Sequence, residues 1–212
     1  MNSAVIFCGG PIASYDYLKA MDFQERLVIC ADGGLKHLCE LGLIPDVIIG
    51  DNDSWTGEYP ECAEIIKLPT EKDFTDTNFC IDYLVERGYK NIEIIGGMGG
   101  RADHEFSHYC LLAYGLSRGA RITLTDEHNE IWMADKPFTL CKGDKKYVSF
   151  FPFGGAVDGF SIRGLKYSAD NIRLECDMVQ ASSNEFLDCE KAEIDFKSGT
   201  LLVMLCDDWE DA

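Results

Sequence analysis

Six short apolar runs, each ended by glycine, proline or aspartate and separated by helix-spaced segments, restrict this chain more than any other feature. Val5-Ile6-Phe7-Cys8 stops at Gly9-Gly10-Pro11, and the run 27–31 stops at Asp32-Gly33-Gly34. Val47-Ile48-Ile49 stops at Gly50-Asp51-Asn52-Asp53-Ser54. Further runs at 65–68, 92–95 and 122–124 end at Pro69, at Gly96-Gly97 and before Asp126. Between the runs, four groups fall at helical spacing: Tyr17, Leu18 and Met21; Leu35, Leu38 and Leu41; Phe79, Cys80, Tyr83 and Leu84; Tyr109, Leu112 and Leu116. Thr75 suits an N-cap, and Gly42 and Gly88 suit helix ends. Continuous apolar strands alternating with helices predict a mostly parallel sheet covered on both faces.

The texture changes after residue 128. Tyr147-Val148-Ser149-Phe150-Phe151 and the runs 157–162 and 200–205 read as strands between turn residues, with no helical pattern left. The expectation is an α/β N-terminal domain over 1–127 and an all-β, sandwich or jelly-roll-like C-terminal domain over 128–212.

Composition narrows the partners. A net charge of −18 argues against nucleic acid and anionic membrane. No apolar run approaches the ~18 residues a membrane span needs. The first residues enter a strand without a basic leader, so the expected location is cytoplasmic. The ten cysteines include no Cys-x-x-Cys pair, and Cys8, Cys30 and Cys80 sit inside apolar runs. Reduced thiols are therefore expected rather than disulfides or a zinc ribbon.

In an open parallel sheet the C-terminal strand ends share one crevice. Asp32-Gly33-Gly34, Asp51 with Asp53, Asp73 with Asp76, and the loop 97–103 all follow strands, directly or after a short connection. Glycines let backbone N–H groups approach phosphate oxygens, and Arg101 adds a bidentate fork. Asp51, Asp53 and Asp76 offer the hard oxygens that Mg²⁺ takes, directly or through water. A metal also reconciles an acidic chain with an anionic substrate. Other roles stay open: Asp76 suits the positive end of its helix, Asp103 suits an N-cap, and Lys72 suits either a phosphate or solvent.

Three local patterns are set aside. The stretch 97–102 fits G-x-G-x-x-A but follows the fifth strand, not the first. No Walker A pattern exists, which excludes an ordinary P-loop kinase. His104-Glu105-Phe106-Ser107-His108 reads H-E-x-x-H, yet it starts in a helix's first turn, and neither His37 nor His128 stands as a third ligand. His108 reads as a packing residue and His104 as a group on the substrate side.

Taken in order, the motifs resemble the thiamine pyrophosphokinase family. They are Ala31-Asp32-Gly33-Gly34, Pro45-Asp46 with 50–54, Glu71-Lys72-Asp73-Phe74-Thr75-Asp76-Thr77, the glycine loop through His104, Gly164-Leu165-Lys166-Tyr167, and Ser182-Ser183-Asn184-Glu185-Phe186. Asn52 departs from a more usual aromatic residue and Ala181 from a common glycine. The resemblance implies ATP and thiamine as substrates, Mg²⁺ as cofactor, and a homodimer with active sites at the subunit interface. It implies attack of the thiamine hydroxyl on the β-phosphorus of ATP with release of AMP. On that resemblance Asp51, Asp53 and Asp76 hold the metal, with Asp73 in reserve. Lys72, Thr75 and Arg101 contact phosphates, while Asp32, Gly33, Gly34 and Gly97 lie near the nucleotide. Asp103 orients or deprotonates the hydroxyl, and Ser182, Ser183 and Asn184 belong to the thiamine pocket. Two other readings are a pyrophosphokinase for another alcohol, such as a pterin, and a nucleotide-binding regulatory protein without turnover.

Overall fold

The computed structural model describes residues 3–51, 57, 59–61, 63–187 and 189–208. Contacts cluster the chain into two units, Met1–Glu127 and His128–Ala212.

The first unit runs β1 (Ser3–Phe7), α1 (Asp16–Lys19), β2 (Arg26–Ala31), α2 (Leu35–Leu41), β3 (Val47–Gly50), β4 (Glu64–Lys67), α3 (Asp76–Glu86), β5 (Asn91–Ile95), α4 (Ala102–Ser117) and β6 (Arg121–Thr125). Its strands lie in the order β6-β5-β1-β2-β3-β4, with parallel pairing throughout. Ala4, Val5, Ile6 and Phe7 of β1 are fully buried, as a central parallel strand requires. Coverage fails at the β4 edge, where Ile65 is 45% exposed, so the expectation of two covered faces holds only for the interior strands. From β1 the chain builds outward through β4 and then returns to the other side of β1 with β5. The order therefore reverses between β1 and β5, the position where α/β sheets open a ligand crevice.

Local signals set the helix ends. Thr75 caps α3: its side chain accepts the Asn78 N–H at 3.3 Å. Gly88, at φ +83°, ends the same helix, with its N–H donating to Val85 O and that of Tyr89 to Leu84 O, each at 3.0 Å. Thr75→Ala is expected to cost about 1 kcal/mol, which chemical denaturation measures directly. A midpoint unchanged within error would contradict the cap.

The second unit contains β7 (Asn129–Ala134), β8 (Phe138–Cys141), β9 (Tyr147–Pro152), β10 (Val157–Arg163), β11 (Ala169–Leu174), β12 (Asn184–Glu185), β13 (Lys191–Asp195) and β14 (Leu201–Cys206). Two antiparallel groups form, β12-β9-β14-β7 and β11-β10-β13-β8. They bury a common core in which Phe150 and Val203 of one group meet Phe160 and Ile194 of the other. The Phe150 and Phe160 rings lie 5.5 Å apart. Among the described residues this unit has no helix, and no described helix of the first unit is long and apolar enough to cross a membrane.

Candidate functional site

A cleft of about 570 Å³ opens where the strand order reverses. Its floor is built from residues 8–11 after β1 and 96–98 after β5. Its sides carry Asp32, Gly33, Thr75, Asp76, Arg101 and His104. Of the sequence candidates, Gly97 also lines it, whereas Gly34, Asp51, Lys72, Asp73 and Asp103 do not.

The glycine loops are fixed by backbone contacts. Gly10 N–H donates to Gly96 O at 2.8 Å, and Cys8 N–H to Ile95 O at 2.8 Å. A Cβ on Gly10 would meet Gly96 O at 2.4 Å, so the loops close only without side chains. Gly34 is likewise a packing residue: its Cβ would lie 2.0 Å from Phe7 O. This corrects the expectation that Gly34 serves the nucleotide.

Two buried histidines, neither read from sequence as a builder of the cleft, hold these loops. His37 Nε2 donates to Gly10 O at 2.7 Å, so its Nδ1 accepts the Tyr15 hydroxyl at 2.7 Å. His108 Nδ1 donates to Gly97 O at 2.8 Å, leaving Nε2 to accept the Thr77 hydroxyl at 3.3 Å. The Cys8 thiol then donates to Thr77 Oγ1 at 3.4 Å. This chain ties β1, the start of α3 and the glycine loop together. Both His108 nitrogens are engaged by the protein, so the H-E-x-x-H pattern cannot present two histidine ligands to a zinc ion.

Burial lowers the pKa of both His37 and His108 below the usual histidine value. The unfolded chain takes up these protons near pH 6.5, while the folded protein resists them. The stability contributed by neutral burial is complete above about pH 6.5 and is lost as pH falls through the depressed folded values. Denaturation between pH 7 and 5 is expected to show this decline, and His108→Gln to flatten it. An identical slope in the variant would contradict the assignment.

The acidic side of the site gathers around Lys72. Its Nζ lies 3.0 Å from Asp76 Oδ1 and 3.6 Å from Asp51 Oδ2. The Asp76 contact is one of charge rather than an aligned hydrogen bond. Asp32, at φ +40°, packs against Gly50, where an added Cβ would lie 2.9 Å from Asp32 Cβ. Asp32 Oδ1 is buried and has no hydrogen-bond partner. Burial raises the Asp76 pKa, Lys72 opposes that rise, and Asp32 and Asp51 add to it. Asp51 and Asp76 flank one ammonium, and the buried Asp32 oxygen is left over. No group of three or more metal-ligating side chains comes together among the described residues, but two carboxylates with phosphate oxygens are a set that Mg²⁺ takes. Asp53 and its neighbours Asn52 and Ser54 lie outside the described residues. Asp73 is exposed and does not line the cleft.

At the mouth, Arg101 is turned onto Asp103. Its Nε and NH2 donate to the two carboxylate oxygens at 3.1 and 2.6 Å. That fork holds the Asp103 pKa down at about 2 for as long as the Arg101 pair is made. An exposed pair of this kind is a weak tie, so Arg101 can exchange it for phosphate.

In the second unit Asn184 is 2% exposed and spends its amide internally. Its Oδ1 accepts the Tyr167 and Glu185 N–H groups, and its Nδ2 donates to Tyr167 O at 2.8 Å. It holds a turn and does not present itself to a ligand, contrary to expectation. Ser183, at φ +55°, is exposed, with its N–H bound to Ser149 Oγ at 2.9 Å, and Ser182 is half-buried. Asp46 also proves structural, its Oδ2 accepting the Val28 N–H at 2.7 Å.

Residues 18–124 match the thiamin pyrophosphokinase catalytic domain, and residues 138–201 match the thiamin pyrophosphokinase vitamin B1 binding domain. The chain belongs to the thiamin pyrophosphokinase family. It is 29% identical over 211 residues to thiamine pyrophosphokinase from Bacillus subtilis (strain 168), covering 96% of this chain and 98% of that protein. The crystal structure of thiamine pyrophosphokinase from Bacillus subtilis superposes with a TM-score of 0.88 at 28% identity, covering 98% of this chain and 100% of that one. Yeast thiamin pyrophosphokinase shares the fold at a TM-score of 0.79 and 19% identity, over 96% of this chain and 85% of its own. The match to the family's catalytic domain begins after the 8–11 part of the cleft floor and covers Asp32, Asp51, Lys72, Asp76 and Arg101.

Proposed function

We propose that this chain transfers a pyrophosphoryl group from ATP to the hydroxyl of thiamine, giving thiamine diphosphate and AMP. The hydroxyl oxygen bonds to the β-phosphorus, the bond from that phosphorus to the α,β-bridging oxygen breaks, and the hydroxyl proton leaves. The supporting observation is a glycine-walled cleft next to Asp32, Asp51 and Asp76, three carboxylates that lie in the segment matching the family's catalytic domain.

Transfer of this kind depends mainly on positioning and on charge stabilisation. Asp51 and Asp76, with Asp32 beside them and Asp53 by its place in the motif, would hold Mg²⁺. When bound, that ion supplies positive charge to the phosphate oxygens. Gly33 and the 96–98 backbone let the polyphosphate lie close to the floor. Thr75 and Arg101 line the same cleft and are assigned to phosphate, with Arg101 leaving Asp103 to do so. Asp103, released from Arg101, is then assigned to orient or deprotonate the incoming hydroxyl. Ser182 and Ser183, inside the segment matching vitamin B1 binding, are assigned to thiamine. The reading extends to a cytoplasmic homodimer with its active sites at the subunit interface.

The test is a choice of acceptor. With Mg²⁺ and ATP, thiamine is expected to be converted at least tenfold more efficiently than a hydroxymethyl pterin. Turnover of the pterin alone would transfer the chemistry to another alcohol. Nucleotide binding without turnover of either would make the protein a regulatory binder.

A further inference from the structure

We propose that Lys72 is an internal counter-ion that keeps free divalent metal out of the carboxylate site and gives way only to metal arriving with a nucleotide. The inference rests on the metal-site reading above and goes beyond it.

The Lys72 side chain is only 11% exposed, and its two partners are 13% and 23% exposed for Asp51 and Asp76. The ammonium therefore occupies the space between the two carboxylates, where the donor set would place a cation. Asp51 and Asp76 set two negative charges beside the one positive charge of Lys72, so the ammonium by itself neutralises only part of the pair.

A free Mg²⁺ entering this site must displace the ammonium. The displaced lysine then loses both partners within a largely buried setting and gains none, which opposes metal binding. A metal–nucleotide complex changes that balance, because its phosphates offer the displaced ammonium a new anionic partner. Lysine suits this exchange, as a compact charge on a flexible four-carbon stem. Metal and nucleotide should then bind with positive coupling, each favouring the other.

The experiment is a titration of the full chain with Mn²⁺, followed by electron paramagnetic resonance, with and without a non-hydrolysable ATP analogue. Lys72→Met is compared with the native protein, and Lys72→Gln provides a second variant with a polar head should the first fold poorly. Both are expected to bind free Mn²⁺ about tenfold tighter than the native protein, with the nucleotide's effect on metal affinity falling by a similar factor. Asp76→Asn added to either should abolish the gain. Free-metal affinity that is unchanged or weaker in both lysine variants would overturn the proposal. So would metal–nucleotide coupling that survives intact. Turnover by the native protein, measured on the same preparation, keeps the two readings apart. Thiamine diphosphate formation alongside unchanged metal affinity would refute the counter-ion and leave the enzyme standing.

Discussion

Asp76→Asn is expected to lower thiamine diphosphate formation by about 10²-fold or more while leaving the protein folded. The direction follows from charge, since the variant keeps the shape of the side chain and removes one anionic ligand from the site assigned to the metal. Its effect on stability should be small, because two terms oppose each other. Asp76 already sits with a raised pKa, pushed up by burial and by Asp32 and Asp51, so neutralising it relieves crowding among carboxylates. Against that, the first turn of α3 loses a charge that its positive end favours, typically about 0.3–1 kcal/mol. Lys72 loses its nearer partner but keeps Asp51. The check pairs a thermal melt with a metal titration of activity. Near-native turnover at ordinary Mg²⁺ in a folded variant would remove Asp76 from the metal site.

The largest effect on folding is expected at Gly34. An alanine there would place its Cβ 2.0 Å from Phe7 O and 2.5 Å from Phe7 C. Both atoms belong to the backbone of β1, the buried central strand, so no side chain can swing away. Gly34 itself has ordinary helical dihedrals, φ −66° and ψ −17°, so the strain is one of space and not of conformation. Overpacking a core usually costs about 1–3 kcal/mol, and a backbone collision should exceed that range. Since 1 kcal/mol moves the melting point of a chain this size by about 2–4 °C, a drop of at least 10 °C, or no soluble protein, is expected. Gly143→Ala is the control, having open space around its Cβ and no positive φ. Melting within 2 °C of native for Gly34→Ala would contradict the packing described here.

These two residues also show how much was legible beforehand. Asp76 could be picked out because a carboxylate beside a threonine cap, after a strand, falls where parallel sheets expose their ends. The strands of the first unit were legible for a related reason: buried on both faces, they read as unbroken apolar runs. β13 was not, since Lys191, Ala192, Glu193, Ile194 and Asp195 alternate buried and exposed with only two apolar residues. The short β12 and the irregular pairing of β10 with β11 hide in the same way. Gly34 was recognised as special but for the wrong partner, because spacing cannot distinguish a glycine facing a ligand from one facing a neighbouring strand. Lys72, Asp103 and Asn184 teach the same lesson about polar groups. Each stands in a motif, and only the fold reveals that one bridges two carboxylates, one is clamped by arginine and one is buried in its own turn. His37 and His108 carried no periodic signal, since the carbonyls they hold belong to loops distant in sequence.

The central claim concerns which phosphorus is attacked. ATP labelled at its β-phosphorus, incubated with the protein, Mg²⁺ and thiamine, tests this with one product analysis. The account predicts that the label moves into thiamine diphosphate and that unlabelled AMP accumulates in equal amount. Label retained in ADP, with thiamine monophosphate as the other product, would contradict it.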